Sequence, residues 1–119
     1  MSTNQDEAKK DNRIKREFSR LKRLFQNLPE NELKFVEPLL QNCAFMRAVL
    51  EDLQELITEN GLIDDYQNGE NQNGRKMSAE LQAYNTTVKN YNQAMDKLIE
   101  RLPKEEKKSA MVEMMRRYS

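Results

Sequence analysis

Two series of apolar residues, in which every step is three or four positions, constrain the fold of this chain more than any other feature of its sequence. The two series are Val36, Leu39, Cys43, Met46, Leu50, Leu53 and Ile57, and then Leu81, Tyr84, Val88, Tyr91, Met95, Leu98 and Leu102. Such steps place side chains on one face of an α-helix, in the a and d positions of a heptad repeat. The sequence therefore predicts an all-α fold built on an antiparallel, coiled-coil-like helical hairpin.

Turn and capping residues set the limits of the hairpin core, which is predicted to span residues 29–103. Pro29 suits the first turn of a helix, where its missing N–H is not needed. Pro38 falls inside the first apolar series and is expected to kink the helix or to separate its first turn. Gly61 is expected to end this helix in a left-handed conformation, and Ser78 to cap the start of the next.

The loop between the two helices, residues 62–77, is the longest in the predicted fold. Its central part, residues 66–74, contains two Asn-Gly pairs, which favour turns. Too few apolar residues are present to favour strands, so a β-hairpin is only a minor alternative here. The Asn and Gln side chains are either ordinary turn residues or candidates for reading adenine edges in DNA.

The chain has 20 basic and 20 acidic residues, but the charges are segregated. Residues 1–28 carry a net charge of +4, residues 29–74 carry −8, and residues 75–119 carry +4. Residues 1–10 are polar and are predicted to form a disordered tail. A basic helix is predicted over residues 11–28. Its apolar stripe consists of Ile14, Phe18, Leu21, Phe25 and Leu28.

A second stripe of the same helix carries arginine at regular helical spacing. Its members are Arg13, Arg16, Arg20 and Arg23, and Lys15 and Lys22 lie beside them. Guanidinium groups bind phosphate through charge-assisted hydrogen bonds, so this stripe is a candidate contact with a nucleic-acid backbone. Arg75 and Lys76, which follow the Asn-rich loop, are further candidates. The alternative is a solvated helix face without a ligand.

A short C-terminal helix is predicted over residues 104–119. Its apolar residues Met111, Met114, Met115 and Tyr118 form either a docking surface for a partner protein or a patch packed on the hairpin. A two-helix hairpin also leaves apolar flanks uncovered, which predicts self-association, with the first helix or neighbouring subunits covering the hairpin. The residues expected to mediate oligomerisation are Val36, Leu39, Leu40, Val49, Leu53, Leu56, Tyr84 and Tyr91.

The composition argues against an enzyme and against a bound cofactor or metal. The chain has no histidine and one cysteine, and it has no Gly-rich phosphate loop. Asp64, Asp65 and Glu70 are the only candidates for a Mg²⁺ site, and a solvated acidic loop is the simpler interpretation. The N-terminus resembles no signal peptide and no segment is apolar enough for a membrane span, so a soluble cytoplasmic protein without a membrane partner is expected.

Four segments resemble the small terminase subunits of tailed bacteriophages, and together they cover roughly residues 30–104. The segments are Leu39-Leu40-Gln41-Asn42-Cys43-Ala44-Phe45-Met46, Tyr66-Gln67-Asn68-Gly69-Glu70-Asn71-Gln72-Asn73-Gly74-Arg75-Lys76-Met77-Ser78, Lys89-Asn90-Tyr91-Asn92 and Leu102-Pro103-Lys104. The resemblance implies a non-enzymatic DNA-packaging protein in the cytoplasm of the infected bacterial host.

The same resemblance implies three partners: double-stranded viral DNA, further copies of the chain in a homo-oligomeric ring, and the large terminase subunit, which carries the ATPase and the nuclease. DNA contact would fall on the basic helix, ring formation on the hairpin, and large-subunit binding on the C-terminal helix. Many members of that family carry an N-terminal helix-turn-helix domain, whereas only one basic helix precedes the hairpin here. The alternative function is a helical protein-interaction adaptor or scaffold that does not bind DNA.

Overall fold

A computed structural model describes residues 3–67 and 73–117, and it places the side chains of residues 7–63 and 75–116. The elements in chain order are α1 (Thr3–Leu24), α2 (Glu30–Asn60), β1 (Ile63–Gln67), β2 (Asn73–Met77), α3 (Ala79–Glu100) and α4 (Lys104–Arg117). The four helices confirm the predicted helical fold class. The molecule is elongated, with principal extents of 63, 34 and 27 Å.

Helix α2 lies between α1 and α3 and runs antiparallel to both. At one end of α2, Gln54 donates a hydrogen bond to the Tyr84 hydroxyl of α3, and at the other end the Arg101 guanidinium lies 4.8 Å from the centre of the Phe35 ring. Toward α1, Asp52 pairs with Arg13 while Glu37 pairs with Lys22, so these two helices are also antiparallel. Helix α2 is therefore covered from two sides.

This two-sided covering changes which residues of α2 form the core. The buried residues are Val36, Leu40, Cys43, Ala44, Ala48 and Leu50. Leu39, assigned to the heptad seam, is 37 % exposed, whereas its neighbour Leu40 is completely buried. The seam prediction is wrong at Leu39 because α1 and α3 together cover a face of α2 that is centred on Leu40 and Ala44, and Leu39 lies at the edge of that face.

The first helix is longer and more deeply packed than the sequence suggested. It begins at Thr3, so residues 3–10 are helical rather than a disordered tail. Lys10, at the end of this segment, contacts α2, because its ammonium pairs with Asp52 at 3.3 Å and lies over the Phe45 ring. At the other end α1 stops at Leu24, ahead of the predicted end of the basic helix at residue 28.

The core runs along the α1–α2–α3 layer and continues under α4. Its buried members outside α2 are Leu21, Phe25, Leu28, Tyr91, Met95, Leu98, Leu102 and Ala110. The predicted apolar stripes of α1 and α3 therefore do face the core. Pro38 does not split α2, which is unbroken from Glu30 to Asn60. The exposed position of Pro38 lets solvent hydrogen-bond the backbone carbonyl that its ring leaves without a donor.

The connection between α2 and α3 is a two-stranded antiparallel ribbon, so the prediction of a loop without strands is wrong. The register pairs Asp64 with Lys76 and Asp65 with Arg75. The expectation from hydrophobicity did not consider cross-strand pairs of opposite charge, which favour strand pairing in general. Residues 68–72, which include Glu70 and most of the Asn-Gly run, lie outside the described residues.

Both ends of the ribbon connection are held by the residues that the sequence singled out. Gly61 has a φ of 87°, which favours glycine, and its N–H donates to the Ile57 carbonyl oxygen at 2.8 Å. Its ψ of −177° is extended rather than left-handed helical. Ser78 caps α3, since its hydroxyl accepts a hydrogen bond from the Leu81 N–H at 3.1 Å. The predicted helix end and the predicted cap are confirmed.

Candidate nucleic-acid interface

The arginine stripe of α1 is divided by its contacts into a paired part and an exposed part. Arg13 faces α2, where it donates to Asp52 at 2.7 Å and lies 3.6 Å from Glu51. Lys22 lies 3.8 Å from Glu37 of the same helix. Both cations fasten α1 to α2, so the structure assigns them an internal electrostatic role in addition to any contact with a ligand.

The pair between Arg13 and Asp52 is strong enough to shift the pKa of both groups. Burial alone raises the pKa of Asp52, but the hydrogen bond and the positive charge of Arg13, together with Lys10, outweigh it and hold this pKa below its usual value. The hydrogen bond to Asp52 is also the main reason why the pKa of Arg13 is raised. The pair therefore stays ionised throughout the neutral range.

We expect Asp52→Asn to lower the free energy of unfolding at neutral pH by about 0.5–1 kcal/mol, a small value because the pair is partly exposed to solvent. A lowered folded-state pKa contributes stability above the unfolded value of about 3.9, and this contribution is lost as the pH falls through the folded-state pKa. Urea unfolding of both proteins at neutral pH and at acid pH measures the difference, which should become smaller as the pH falls below the unfolded value. Asp96→Asn, at an exposed position of α3, is the matched control.

The exposed part of the stripe lines a shallow groove along α1. Its lining consists of Lys15, Arg16, Ser19, Arg20 and Arg23. Arg16, Arg23 and Lys15 are exposed, while Arg20 is partly buried. This surface is open and rich in hydrogen-bond donors, as a contact with a phosphate backbone requires.

One acid next to this groove, Glu17, is withdrawn from its surface. Glu17 is only 8 % exposed and accepts two hydrogen bonds from Arg20, at 3.1 and 3.3 Å. Arg20 also reaches Glu113 of α4 at 3.5 Å. Because the buried Glu17 and the partly exposed Glu113 both pair with Arg20, the positive potential of the groove comes mainly from Lys15, Arg16 and Arg23.

The other predicted DNA contacts, Arg75 and Lys76, lie on a different element. They are exposed residues of β2, in register with Asp65 and Asp64 of β1. The structure thus separates these two residues from the groove of α1, which is the stronger candidate for binding an anionic backbone.

The residues predicted to mediate oligomerisation fall into different environments. Val36, Leu40 and Tyr91 are buried within the chain, so they cannot form an interface between folded copies. Val49, Leu53 and Tyr84 are partly buried, and Leu39 and Leu56 are exposed. The sequence analysis missed Phe35 and Phe45, which are 63 % and 51 % exposed. Neither phenylalanine belongs to the heptad series of α2, and this feature of the sequence could have predicted that they do not face the core.

The methionine-rich helix α4 is divided in the same way. Met114 packs against the core, whereas Met111, Val112 and Met115 are exposed. Tyr118 lies outside the described residues. The two interpretations of this segment, internal packing and a docking surface, therefore apply to opposite faces of one helix.

The remaining candidates for chemistry have ordinary structural roles. Cys43 is completely buried, and burial together with the charge of Glu17 raises the pKa of its thiol to about 11, which makes it a poor nucleophile. No group of three or more potential metal ligands occurs among the residues whose positions are described, while the side chains of Asp64, Asp65 and Glu70 lie outside them. In the same part of the chain, no helix has both the length and the apolar character needed to cross a bilayer.

Comparison of the chain with protein-family models, with curated proteins and with solved structures finds no match. The resemblance to small terminase subunits therefore remains a prediction from the sequence segments that carry it. The functional argument has to rest on the surfaces of the molecule, of which the basic groove of α1 has the most definite chemistry.

Proposed function

We propose that this chain is a non-enzymatic adaptor that binds double-stranded DNA through the basic groove of α1. The observation that carries the proposal is the exposure of Lys15, Arg16 and Arg23 on one side of the helix, with the neighbouring carboxylate of Glu17 buried. Exposed guanidinium groups attract phosphate oxygens and steer their approach.

The dimensions of the groove suit a DNA backbone. Arg16 and Arg23 are two helical turns apart, which is about 10 Å at 1.5 Å per residue. This distance corresponds to about three base pairs along duplex DNA at 3.4 Å per step. The contact supported by this geometry is with phosphates rather than with base edges, so it gives affinity and orientation without reading a sequence.

Within this proposal, the resemblance to small terminase subunits supplies the biological setting. The chain would form a homo-oligomeric ring that presents many copies of the groove to viral DNA in the infected bacterial host. It would also recruit the large terminase subunit, which carries the ATPase and the nuclease, through the exposed side of α4. Repetition around a ring would convert weak phosphate contacts into tight binding through avidity.

The experiment compares the wild-type protein with the double variant Arg16→Gln/Arg23→Gln. Binding of each to duplex DNA is measured by fluorescence anisotropy across a series of salt concentrations. Each phosphate contact that is lost should reduce the slope of log K against log salt by about 0.9, so the double variant should be shallower by about two. We expect its affinity at low salt to fall by about 10- to 100-fold, because two charge-assisted contacts are removed. Circular dichroism checks that the helices remain intact.

A second double variant, Lys89→Gln/Lys97→Gln, provides the matched control. It removes the same charge from exposed positions of α3, away from the groove. Equal losses in both double variants would mean that net charge rather than the groove determines binding. An affinity of the wild-type protein that does not depend on salt would contradict the proposal as a whole.

A second candidate function is a helical protein-interaction adaptor without DNA binding. It is favoured by the large side chains that α2 and α4 expose, above all Phe35, Phe45 and Met115. Apolar surface of this kind usually marks a protein contact in a folded chain. The same anisotropy experiment separates the two functions, since an adaptor of this class shows no salt-dependent affinity for duplex DNA.

A further inference from the structure

The exposed side of α1 continues beyond the basic groove toward the start of the helix. Five of its exposed residues are separated by alternating steps of three and four, which places them in a single row along the helix. This row, here called the α1 strip, consists of Lys9, Asn12, Arg16, Ser19 and Arg23. Every member carries a hydrogen-bond donor, and cations seven residues apart alternate with neutral donors. At 1.5 Å per residue the strip is about 21 Å long.

The side chains of the α1 strip are not used to hold the fold together. Within the part of the chain whose side chains are described, none of the five forms a hydrogen bond or an ion pair. Two neighbouring cations outside the strip behave differently, since Lys10 pairs with Asp52 and Arg20 pairs with Glu17. The donors of the strip therefore all remain available to a ligand.

The acidic residues of α1 whose side chains are described lie outside the strip. They are Glu7, Asp11 and Glu17. Successive residues are turned by about 100° around a helix axis, which places each of these acids about 80° or more from the nearest member of the strip. An anionic ligand that follows the strip thus meets no carboxylate of the same helix.

Two acids of α2, Asp52 and Glu55, share a cleft with the first half of the strip. The cations that face α2 oppose them. Asp52 pairs with Arg13 at 2.7 Å and with Lys10 at 3.3 Å, and the pKa of Arg13 is raised mainly by its hydrogen bond to Asp52 and further by the charge of Glu55. Lys9 is turned about 100° away from Lys10 and is exposed to solvent.

We propose that the whole α1 strip binds the phosphates of duplex DNA, so that Lys9 and Asn12 make contacts beyond those of Arg16 and Arg23. Its length of about 21 Å spans about six base pairs at 3.4 Å per step. Asn12 and Ser19 lie between the cations, and side chains of these types donate hydrogen bonds to phosphate oxygens. This inference rests on the proposed function and specifies the residues and the length of its contact with DNA.

The first test compares Lys9→Gln with Lys10→Gln, which remove the same charge from adjacent positions. Loss of one phosphate contact in Lys9→Gln should reduce the slope of log K against log salt by about 0.9 and the affinity at low salt by about 3- to 10-fold. Lys10→Gln should leave the slope unchanged, because Lys10 faces α2 and pairs with Asp52. Fluorescence anisotropy with duplex DNA measures both variants, and circular dichroism checks that α1 remains helical.

The second test adds a charge to the strip, so that a loss of folding cannot imitate the expected result. Asn12→Lys should increase the same slope by about 0.9 and raise the affinity at low salt by about 3- to 10-fold. Asn90→Lys is the matched control, since it adds the same charge at an exposed position of α3. This control should leave the slope at its wild-type value.

The inference requires both differences, and the absence of either one overturns it. Equal losses in Lys9→Gln and Lys10→Gln, or equal gains in Asn12→Lys and Asn90→Lys, would show that net charge and not the strip determines binding. Wild-type slopes in both strip variants would confine the contact to the groove. The proposed function would survive that result, because the Arg16→Gln/Arg23→Gln variant decides it separately.

Discussion

Replacing Leu40 by alanine should lower the free energy of unfolding by about 2–5 kcal/mol, whereas the same change at the adjacent Leu39 should cost about 1 kcal/mol. Leu40 is completely buried between helices, and its truncation leaves a cavity, while Leu39 retains contact with solvent. Urea unfolding followed by circular dichroism gives both values. A small domain has about 5–15 kcal/mol of stability in total, so Leu40→Ala approaches the limit of folding.

The two leucines serve as controls for each other, since composition, helix propensity and sequence neighbourhood are nearly the same. The heptad frame read from the sequence assigns the larger role to Leu39, and the tertiary structure assigns it to Leu40. A larger loss at Leu39 would therefore contradict the packing of α2 between α1 and α3. Such a result would instead favour the single seam of a two-helix hairpin.

Replacing Phe25 by alanine should lower the free energy of unfolding by about 3–5 kcal/mol. Phe25 follows the end of α1 and is completely buried, in a cluster that also contains Leu98 of α3 and Ala110 of α4. Truncation removes a large side chain at the point where these elements converge. Urea unfolding monitored by the tyrosine and helical signals should show one transition at a much lower midpoint.

Phe45→Ala is the matched control for this prediction. The Phe45 ring is half exposed and is approached by the Lys10 ammonium at 5.9 Å, a contact worth about 0.5–1 kcal/mol at such a site. If the two alanine variants were equally stable, α1 would not be an integral part of the core. It would then behave as a detachable basic arm, and the groove on α1 would lose its fixed position.

The candidate interface illustrates how far charge patterning alone can be interpreted. The sequence places Arg13, Arg16, Arg20 and Arg23 on one stripe as equivalent candidates. The structure distinguishes them, because Arg13 and Arg20 meet acidic side chains of α2 and α4 that are distant in sequence. A helical wheel has no information about such partners, so it cannot tell a cation that holds the fold together from one that is available to a ligand.

The ribbon between α2 and α3 shows a similar limit. Hydrophobicity predicts no strands there, yet Asp64 and Asp65 stand in register with Lys76 and Arg75. The two Asn-Gly pairs did predict a change of chain direction in this segment. Pairing across the turn depends on the registry of residues about ten positions apart, which a window of local composition does not capture.

The sequence by itself determined the local features of this protein: the helices, their capping by Ser78, the end of α2 at Gly61, and the apolar stripes of α1 and α3. These follow from backbone geometry and from periodicity over a few turns, so nearby residues are sufficient to specify them. Only the tertiary structure decided that α2 is covered from two sides, that Leu40 rather than Leu39 is buried, and which arginines remain exposed. Those outcomes depend on contacts between residues far apart in the chain, because burial and ion pairing are properties of packed helices and not of any one helix.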